Sequence, residues 1–466
     1  MVLSSSAYFI FLVGIFFLYW PFARVRALSL SVILFANYFF YAKWDVFYLF
    51  LIPAASTVDY FVGRALGHFQ NRATRRSLVT LSVLMNLGIL GSFKYMPFLL
   101  ENYTGFTGRP APDWHWTFPL GISFYCFQSL TYTIDVFRRD VKPARSILAY
   151  LASVSFFPTT LAGPITRVAT LLPQFEREKF LSPSDGGKAL FLISLGLVKK
   201  LLIADYLADN LVNRVFDLPK LYTGAEVLIG VYGYALQIYY DFSGYTDIAL
   251  GSALLLGIRL PQNFNMPYAA ANIADFWRRW HISLSNWLRD YLYFSLPGLR
   301  SKWKVFTYAN LIITMTLGGL WHGASWNFII WGMLHGAALA VQRLWQSIWG
   351  KSEGGMVSRV AGAFATAQFV CFAWIFFRAP DLESVRAVLQ RIGSGTISFD
   401  NVSPGVTLVI AVAVVGHYFP AKWYGWTLER YAASPFYAQA AALMLLAIAL
   451  QYVAATGAAP FIYTKF

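Results

Sequence analysis

Apolar stretches of about 20 residues recur along this chain, and they restrict its fold more than any other feature of the sequence. Hydrophobic residues make up 58% of the 466 residues, and charged residues only 13%. Soluble domains do not have this composition. The chain is therefore predicted to be all-α, a polytopic helical membrane protein with a single membrane domain.

The hydropathy pattern divides this domain into N-terminal spans within residues 5–257, a polar segment at 258–304, two spans within 305–346, and C-terminal spans within 357–455. The polar segment is rich in aromatic residues, so we predict that it is an interfacial or re-entrant segment at the cytosolic membrane face. Hydropathy alone places the span ends only to within several residues. Single spans are predicted near residues 5–23, 27–42, 46–63, 77–99, 118–137, 146–164, 187–215, 222–257, 305–321, 327–346, 357–378, 405–420 and 436–455.

The loops indicate an orientation. Basic residues concentrate in the loops at 24–26, 64–76 and 138–145, whereas the loops at 43–45 and 100–117 carry few. By the positive-inside rule, we expect the basic loops of this multi-pass protein to lie in the cytosol and its N-terminus to be extracytoplasmic. The positive-inside rule accounts for the basic residues behind the net charge of +15, so nucleic acid is not required as a partner. A basic cytosolic face would also attract anionic lipids or phosphates.

Several classes of site are not indicated by the sequence. Cys126 and Cys371 are the two cysteines, so neither a disulfide framework nor a Cys/His metal cluster is predicted. Serine-hydrolase, phosphate-loop, zinc-protease and dinucleotide motifs are lacking. We predict no metal and no bound cofactor, and we interpret residues 7–20 as a retained span because no charged segment precedes them.

His322 lies between two apolar blocks, inside the run from Trp321 to Trp326. An ionisable side chain at membrane depth usually faces the bundle interior and is a functional candidate by default. Trp321 offers an indole N–H beside it. A structural hydrogen bond to a neighbouring helix explains His322 equally well at this point. His335, in the next span, is a candidate for a supporting role.

The polar segment contains the run Asp275-Phe276-Trp277-Arg278-Arg279-Trp280-His281. If this run is helical, Asp275 pairs with Arg279, and Arg278 shares a face with His281. It is either an interfacial anchor, with tryptophans among the headgroups, or a site for an anionic cosubstrate. In the second case Arg278, Arg279 and Arg289 are the candidate phosphate ligands.

Polar residues also interrupt the span near 222–257. Asp241 and Ser243 lie at membrane depth, and Lys200 interrupts the apolar run before them. Polar side chains at that depth indicate a protein-lined cavity, so Asp241 and Ser243 are candidates for a substrate path. With His322, the Asp241 and Lys200 side chains could instead form the pathway of a polytopic transporter. No internal repeat typical of transporters is visible.

Long motifs in this sequence resemble the membrane-bound O-acyltransferase (MBOAT) family, and most closely its bacterial alginate O-acetyltransferase branch. The resemblance covers most of the chain and becomes only general after about residue 350. The motifs are Pro119-Leu120-Gly121-Ile122-Ser123-Phe124, Gly163-Pro164-Ile165-Thr166-Arg167, Tyr239-Tyr240-Asp241-Phe242-Ser243-Gly244-Tyr245-Thr246-Asp247, Gln262-Asn263-Phe264-Asn265-Met266-Pro267-Tyr268, Phe276-Trp277-Arg278-Arg279-Trp280-His281 and Gly318-Gly319-Leu320-Trp321-His322-Gly323.

The resemblance implies a bundle of roughly eleven or more helices, some of them re-entrant, in a bacterial inner (plasma) membrane. It implies that His322 is the catalytic base and that His281 is the second catalytic position. The implied reaction moves an acetyl group from cytosolic acetyl-CoA to a hydroxyl of an exported polysaccharide such as alginate, or to an extracytoplasmic acetyltransferase partner. Peptidoglycan and teichoic acid are the alternative acceptors.

One geometric question remains for the site. A straight helix from residue 304 to His322 would rise about 27 Å, nearly the whole hydrocarbon thickness. Either funnels thin the bundle so that His281 and His322 meet, or His281 lies away from the reacting groups.

Overall fold

The computed structural model describes residues 3–42, 48–114, 116, 121–161, 163–297, 305–350 and 354–453. The predicted loop at 43–45, Pro119 and Leu120 of the first motif, and the end of the polar segment at 298–304 lie outside these ranges. The described residues are mostly helical and contain no β-strand. This confirms the all-α fold class.

The chain forms two compact units, one from residues 1–193 and 246–261, the other from 194–245 and 262–466. The helices before residue 200 are α1 (Ser6–Tyr19), α2 (Arg26–Ala42), α3 (Tyr48–His68), α4 (Arg72–Leu90), α5 (Met96–Thr107), α6 (Ile122–Arg138), α7 (Ile147–Val154), α8 (Phe157–Thr160), α9 (Val168–Glu176) and α10 (Pro183–Leu197). Those after it are α11 (Asn213–Asp217), α12 (Gly224–Leu255), α13 (Ile273–Arg279), α14 (Ile282–Trp287), α15 (Val305–His322), α16 (Trp326–Trp349), α17 (Met356–Arg378), α18 (Leu382–Gly393), α19 (Pro404–His417), α20 (Ala421–Ala433) and α21 (Phe436–Val453).

In the first unit, a buried arginine joins the ends of α3 and α6. Arg75 donates to the carbonyl oxygens of Leu66, in the last turn of α3, and of Phe69, directly after that helix. It also donates to Val136 and Phe137 near the end of α6, at 3.1 and 2.7 Å. Helix C-termini carry unpaired carbonyls and partial negative charge, so a guanidinium is well suited to join two of them.

In the second unit, α15 and α16 form the most extensive helix pair and position the loop that contains His322. The two helices approach closely because a glycine on each helix packs against the backbone of the other. A Cβ at Gly319 would overlap the carbonyl oxygen of Phe328, and one at Gly332 would overlap that of Met315. Small residues at helix interfaces allow this approach in membrane proteins.

Within the described ranges, three helices are long and apolar enough to cross a membrane: Leu49–His68, Arg72–Thr107 and Met356–Arg378. The pair Pro404–His417 and Ala421–Ala433, bent by 92°, counts as a fourth if it is one span. Shorter apolar helices occupy other predicted spans, namely Ser6–Phe22, Arg26–Ala42, Ile147–Thr160 and Phe436–Gln451.

Several predicted boundaries were wrong. The span near 77–99 is part of a helix that runs from Arg72 to Thr107, with a π-helical turn at Gly91–Tyr95. The span near 146–164 breaks between α7 and α8, and Pro158 lies in the first turn of the new helix. Helices α18 and α20 were not predicted, because one is amphipathic and the other is polar and aromatic, so hydropathy does not detect them.

Candidate functional site

His281 lies in a turn between two short helices and is fully buried. Helix α13 ends at Arg279, and His281 has a φ of 41°, in the left-handed region that side chains other than glycine rarely adopt. The condition of a single helix through His281 is therefore not met. Arg278 and His281 do not share a helix face, because the turn at His281 redirects the chain into α14.

Asn263 holds this turn. Its side-chain Oδ1 accepts from the backbone N–H of Ser283 at 3.0 Å and from the hydroxyl of Ser283 at 2.8 Å. Nδ1 of His281 lies 3.3 Å from the same oxygen. Because a backbone N–H can only donate, this atom is the amide oxygen, and Nδ1 of His281 is the N–H donor to it. In the neutral ring, Nε2 then carries the lone pair.

His322 ends α15 and is 4% exposed. Its ring is surrounded by aromatic side chains from three directions. The ring centroids of Trp321, Trp331 and Phe377 lie 5.0, 5.2 and 5.3 Å from its own. Such an environment excludes bulk water from the imidazole, as a site for a water-sensitive transfer requires.

The two histidines lie side by side, with ring centroids 6.4 Å apart. Trp321 borders both, at 6.3 Å from His281 and 5.0 Å from His322. Of the two geometries that the helix-length argument left open, the structure therefore has the one in which the histidines meet.

His335 lies one ring farther along α16. It is fully buried, and its ring contacts Trp331 at 4.8 Å and Trp277 at 5.1 Å. Because Trp331 also contacts His322, one indole separates the two imidazoles. The indole of Trp331 therefore lies between the rings of His335 and His322.

The three candidate phosphate ligands occupy the exposed part of the same segment. Arg278 and Arg279 share the carboxylate of Asp275, at 3.4 and 2.9 Å, and Arg278 is 68% exposed. Arg289 is held by Asp290 at 2.7 Å. The hydrogen bond that Arg289 donates to the Asp290 carboxylate raises the pKa of the guanidinium, so its charge is permanent. The predicted pair of Asp275 and Arg279 is thus present.

Asp241 and Lys200 form a buried ion pair. Nζ of Lys200 lies 2.6 Å from Oδ1 of Asp241 and 2.7 Å from Oδ1 of Asp205. Ser243 is also buried, and its hydroxyl has no hydrogen-bond partner in the described part of the chain. Phe242, between Asp241 and Ser243, packs edge-on against the His281 ring, with centroids 4.7 Å apart.

Sequence reasoning missed three residues that shape the site. Asn263 was noted only as part of a motif, and Trp331 and Phe377 were treated as apolar residues of spans. The contact between Asn263 and His281 cannot be recognised without the fold, because the two residues are 18 positions apart in the chain. The ring contacts of Trp331 and Phe377 depend on how α15, α16 and α17 pack together.

The chain belongs to the membrane-bound O-acyltransferase family, whose sequence model matches residues 139–379. A probable alginate O-acetylase of Azotobacter vinelandii is 39% identical over 430 residues, which cover 90% of this chain and 83% of that protein. A peptidoglycan O-acetyltransferase of Helicobacter pylori is 37% identical over 395 residues, which cover 79% of this chain and 74% of that protein.

A more distant relative is a teichoic acid D-alanyltransferase of Bacillus subtilis, 29% identical over 277 residues that cover 55% of this chain and 68% of that protein. The family and these relatives establish that the chain is a membrane enzyme, an O-acetyltransferase of the MBOAT family. Since the relatives are enzymes, the acyltransferase interpretation is preferred to the transporter.

Proposed function

We propose that this enzyme transfers an acetyl group from acetyl-CoA to a hydroxyl of an exported polysaccharide, or to an extracytoplasmic partner that completes the transfer. The main support is the pair of buried imidazoles, His281 and His322, whose ring centroids lie 6.4 Å apart. Alginate is one candidate acceptor, since a relative that matches 90% of this chain is named as a probable alginate O-acetylase. Peptidoglycan is another, from a relative that matches 79% of it.

His322 acts as the general base in this proposal. The acceptor hydroxyl gives its proton to an imidazole nitrogen while its oxygen bonds to the thioester carbonyl carbon. The tetrahedral oxyanion collapses, the carbon–sulfur bond breaks, and the thiolate takes the proton back from the imidazolium. The products are an acetyl ester and a free thiol, and His322 returns to its neutral form.

His281 positions the donor. Since Nδ1 donates to Asn263, the neutral ring presents the lone pair of Nε2 and accepts a hydrogen bond from an N–H group. An amide N–H in the arm of a thioester donor fits that lone pair. The oxyanion needs a donor instead, and the indole N–H of Trp331 has no hydrogen-bond partner among the described residues.

Arg278, Arg279 and Arg289 bind the phosphates of the donor on the exposed side of the segment. Each is held by a carboxylate, Asp275 or Asp290, which keeps the guanidinium in place before a phosphate arrives. In this proposal the donor binds from the cytosolic face of a bacterial inner membrane, and the N-terminus lies on the opposite side.

The His322→Ala variant tests the base. Incorporation of labelled acetate into exported polysaccharide should fall at least 100-fold, because general base catalysis contributes about 10²- to 10⁴-fold. His281→Ala should lower the labelling from acetyl-CoA as well. Unchanged O-acetylation by a His322→Ala protein that is normally inserted would contradict the proposal.

His417→Ala is the matched control for both variants. His417 is also a buried histidine, but its Nε2 accepts from the backbone N–H of Tyr268 at 3.2 Å and so has a structural partner. Its removal should lower thermal stability and leave the acetyl transfer of the folded protein intact. Equal losses in all three variants would mean that the assay reports folding only.

A further inference from the structure

The C-terminal part of α16 contacts the start of α13, the short helix that bears Arg278 and Arg279. Oε1 of Gln342 accepts a hydrogen bond from the backbone N–H of Ala274 at 3.0 Å, and Nε2 of the same amide donates to Oδ1 of Asn272 at 3.0 Å. The two bonds join residues 68 and 70 positions apart in the chain. A single side chain of α16 therefore holds the first turn of α13.

Asn272 connects this contact to the arginines. Its Oδ1 caps α13 by accepting from the backbone N–H of Asp275 at 2.9 Å. The carboxylate of Asp275 in turn holds Arg278 and Arg279, at 3.4 and 2.9 Å. A shift of the Gln342 amide would therefore move Asn272 and Asp275, and with them the two guanidinium groups.

Glutamine is the side chain that fits this position. Because Oδ1 of Asn272 already accepts from a backbone N–H, it is the amide oxygen, and the atom of Gln342 that faces it must be a donor. The N–H of Ala274 needs an acceptor instead. A neutral amide offers one of each on adjacent atoms, whereas a carboxylate, an ammonium or a thioether does not. Both bonds therefore depend on the amide of Gln342.

Helix α13 requires such contacts to keep its position. It has seven residues, Ile273–Arg279, and an isolated helix of this length is not stable in water. Besides the bonds from Gln342, it contacts α16 through Trp277, whose ring lies 5.1 Å from that of His335. The position of α13, and so that of its arginines, thus depends directly on α16.

The same helix α16 also contacts the candidate base. Trp331, near the start of α16, lies 5.2 Å from the His322 ring. From Trp331 to Gln342 the helix rises about 16 Å. A donor that binds its phosphates at the arginines and its thioester beside His322 must bridge a distance that α16 sets.

We infer that Gln342 is a positioning residue of the acetyl transfer: it fixes the start of α13, so that Arg278 and Arg279 hold the donor phosphates at the distance from His322 that the thioester requires. The inference rests on the proposed function, because that proposal assigns the donor phosphates to these arginines. Loss of Gln342 should weaken donor binding and leave the reacting groups in place.

The Gln342→Met variant tests this role, since methionine keeps the length of the side chain and removes both hydrogen bonds. Inverted membrane vesicles from the native host contain its own acceptor and accept labelled acetyl-CoA from outside. The KM for acetyl-CoA should rise about tenfold, with kcat within about twofold of the wild type, because binding and not the chemical step is affected. ADP carries a diphosphate without the thioester, and its Ki as a competitive inhibitor should rise in parallel.

Asn272 supplies a second pair of variants. Asn272→Asp keeps an oxygen that caps α13 and accepts from Gln342, so its KM should stay within about twofold of the wild type. Asn272→Ala removes that oxygen and should raise the KM about as much as Gln342→Met does. In the double variant the two effects should not multiply, because both substitutions break the same contact.

Gln368→Met is the matched control. The Gln368 amide also joins two helices, since its Oε1 accepts from the hydroxyl of Tyr232 at 2.6 Å, but these helices are α17 and α12. The control should lower the melting temperature and leave the KM for acetyl-CoA and the Ki of ADP unchanged. An equal rise of KM in Gln368→Met and Gln342→Met would reduce the effect of Gln342 to stability and reject the inference.

Unchanged KM and Ki in Gln342→Met, or a fall of kcat alone, would also overturn it. The double variant Arg278→Gln/Arg279→Gln separates this result from a failure of the proposed function. If the arginine variant raises both constants and Gln342→Met does not, the donor site stands and only the role of Gln342 is rejected. If the arginine variant changes neither constant, or if wild-type vesicles transfer no acetyl group, the proposed donor site fails and the inference fails with it.

Discussion

A single side-chain oxygen, Oδ1 of Asn263, sets the orientation of the His281 ring. It accepts two hydrogen bonds from Ser283 and one from Nδ1 of His281, and the backbone carbonyl of Asn263 accepts the N–H of Ile282 at 2.9 Å. These bonds stabilise the left-handed backbone of His281, which is unfavourable for a side chain other than glycine. The turn is thus fixed by a residue 18 positions earlier in the chain.

Asn263→Ala should lower acetyl transfer by about tenfold or more, because the His281 ring loses the acceptor that fixes its tautomer. Asn263→Asp keeps an acceptor oxygen at the same place and should retain more activity than the alanine variant. The measurement is the kcat of acetyl transfer from acetyl-CoA, made on protein that elutes from size-exclusion chromatography as folded material. Equal activity of Asn263→Ala and the wild type would show that this oxygen does not position His281.

At the scale of elements, the pair α15 and α16 determines where His322 lies. Gly319 and Gly332 bring the two backbones into contact, and His322 is three residues after Gly319 on the same helix. Asn327 fixes the start of α16 by donating to the carbonyl oxygen of Ala379 at 2.8 Å. Movement of one helix would therefore displace His322 from Trp331 and Phe377.

Gly319→Ala should destabilise the protein by about 1–3 kcal/mol or more, because its Cβ overlaps the backbone carbonyl of Phe328. Acetyl transfer should fall with it as α15 shifts. Gly88→Ala on α4 is the control, since a Cβ there meets nothing within 4 Å. It should be neutral or stabilising by up to about 1 kcal/mol. Thermal unfolding in detergent measures both, and a neutral Gly319→Ala would contradict the close packing.

At the scale of the whole molecule, the distribution of basic residues determines the orientation that we propose. The loop with Arg72 and Arg76 is assigned to the cytosol, and the region around Arg109 to the outside. Both native cysteines, Cys126 and Cys371, are buried, so the wild type provides a low background for thiol labelling.

A membrane-impermeant maleimide should label Arg109→Cys in intact spheroplasts and label Arg76→Cys only after the membrane is opened. Both side chains are exposed in the structure, so access is limited by the membrane and not by the fold. The opposite labelling pattern would reverse the proposed orientation and place the donor arginines on the wrong side for cytosolic acetyl-CoA.

Hydropathy predicted the all-α membrane fold, because a helix that crosses a lipid bilayer needs a continuous apolar stretch, which is visible in the local sequence. The motifs predicted the family. They also selected His322 and His281, since an imidazole or a Trp-Arg segment at membrane depth is unusual in itself. Breaks such as the one before Pro158 were missed, because they depend on packing within the first unit.

The sequence by itself determined that this chain is a helical membrane acyltransferase and which imidazoles to consider. Only the tertiary structure decided that His281 and His322 meet, that Asn263 sets the tautomer of His281, and that Lys200 joins Asp241 to Asp205. The physical reason is that each of these contacts joins residues from separate elements. The distances between these residues depend on how closely the helix backbones pack and on the left-handed turn at His281. No local pattern of residues specifies either feature.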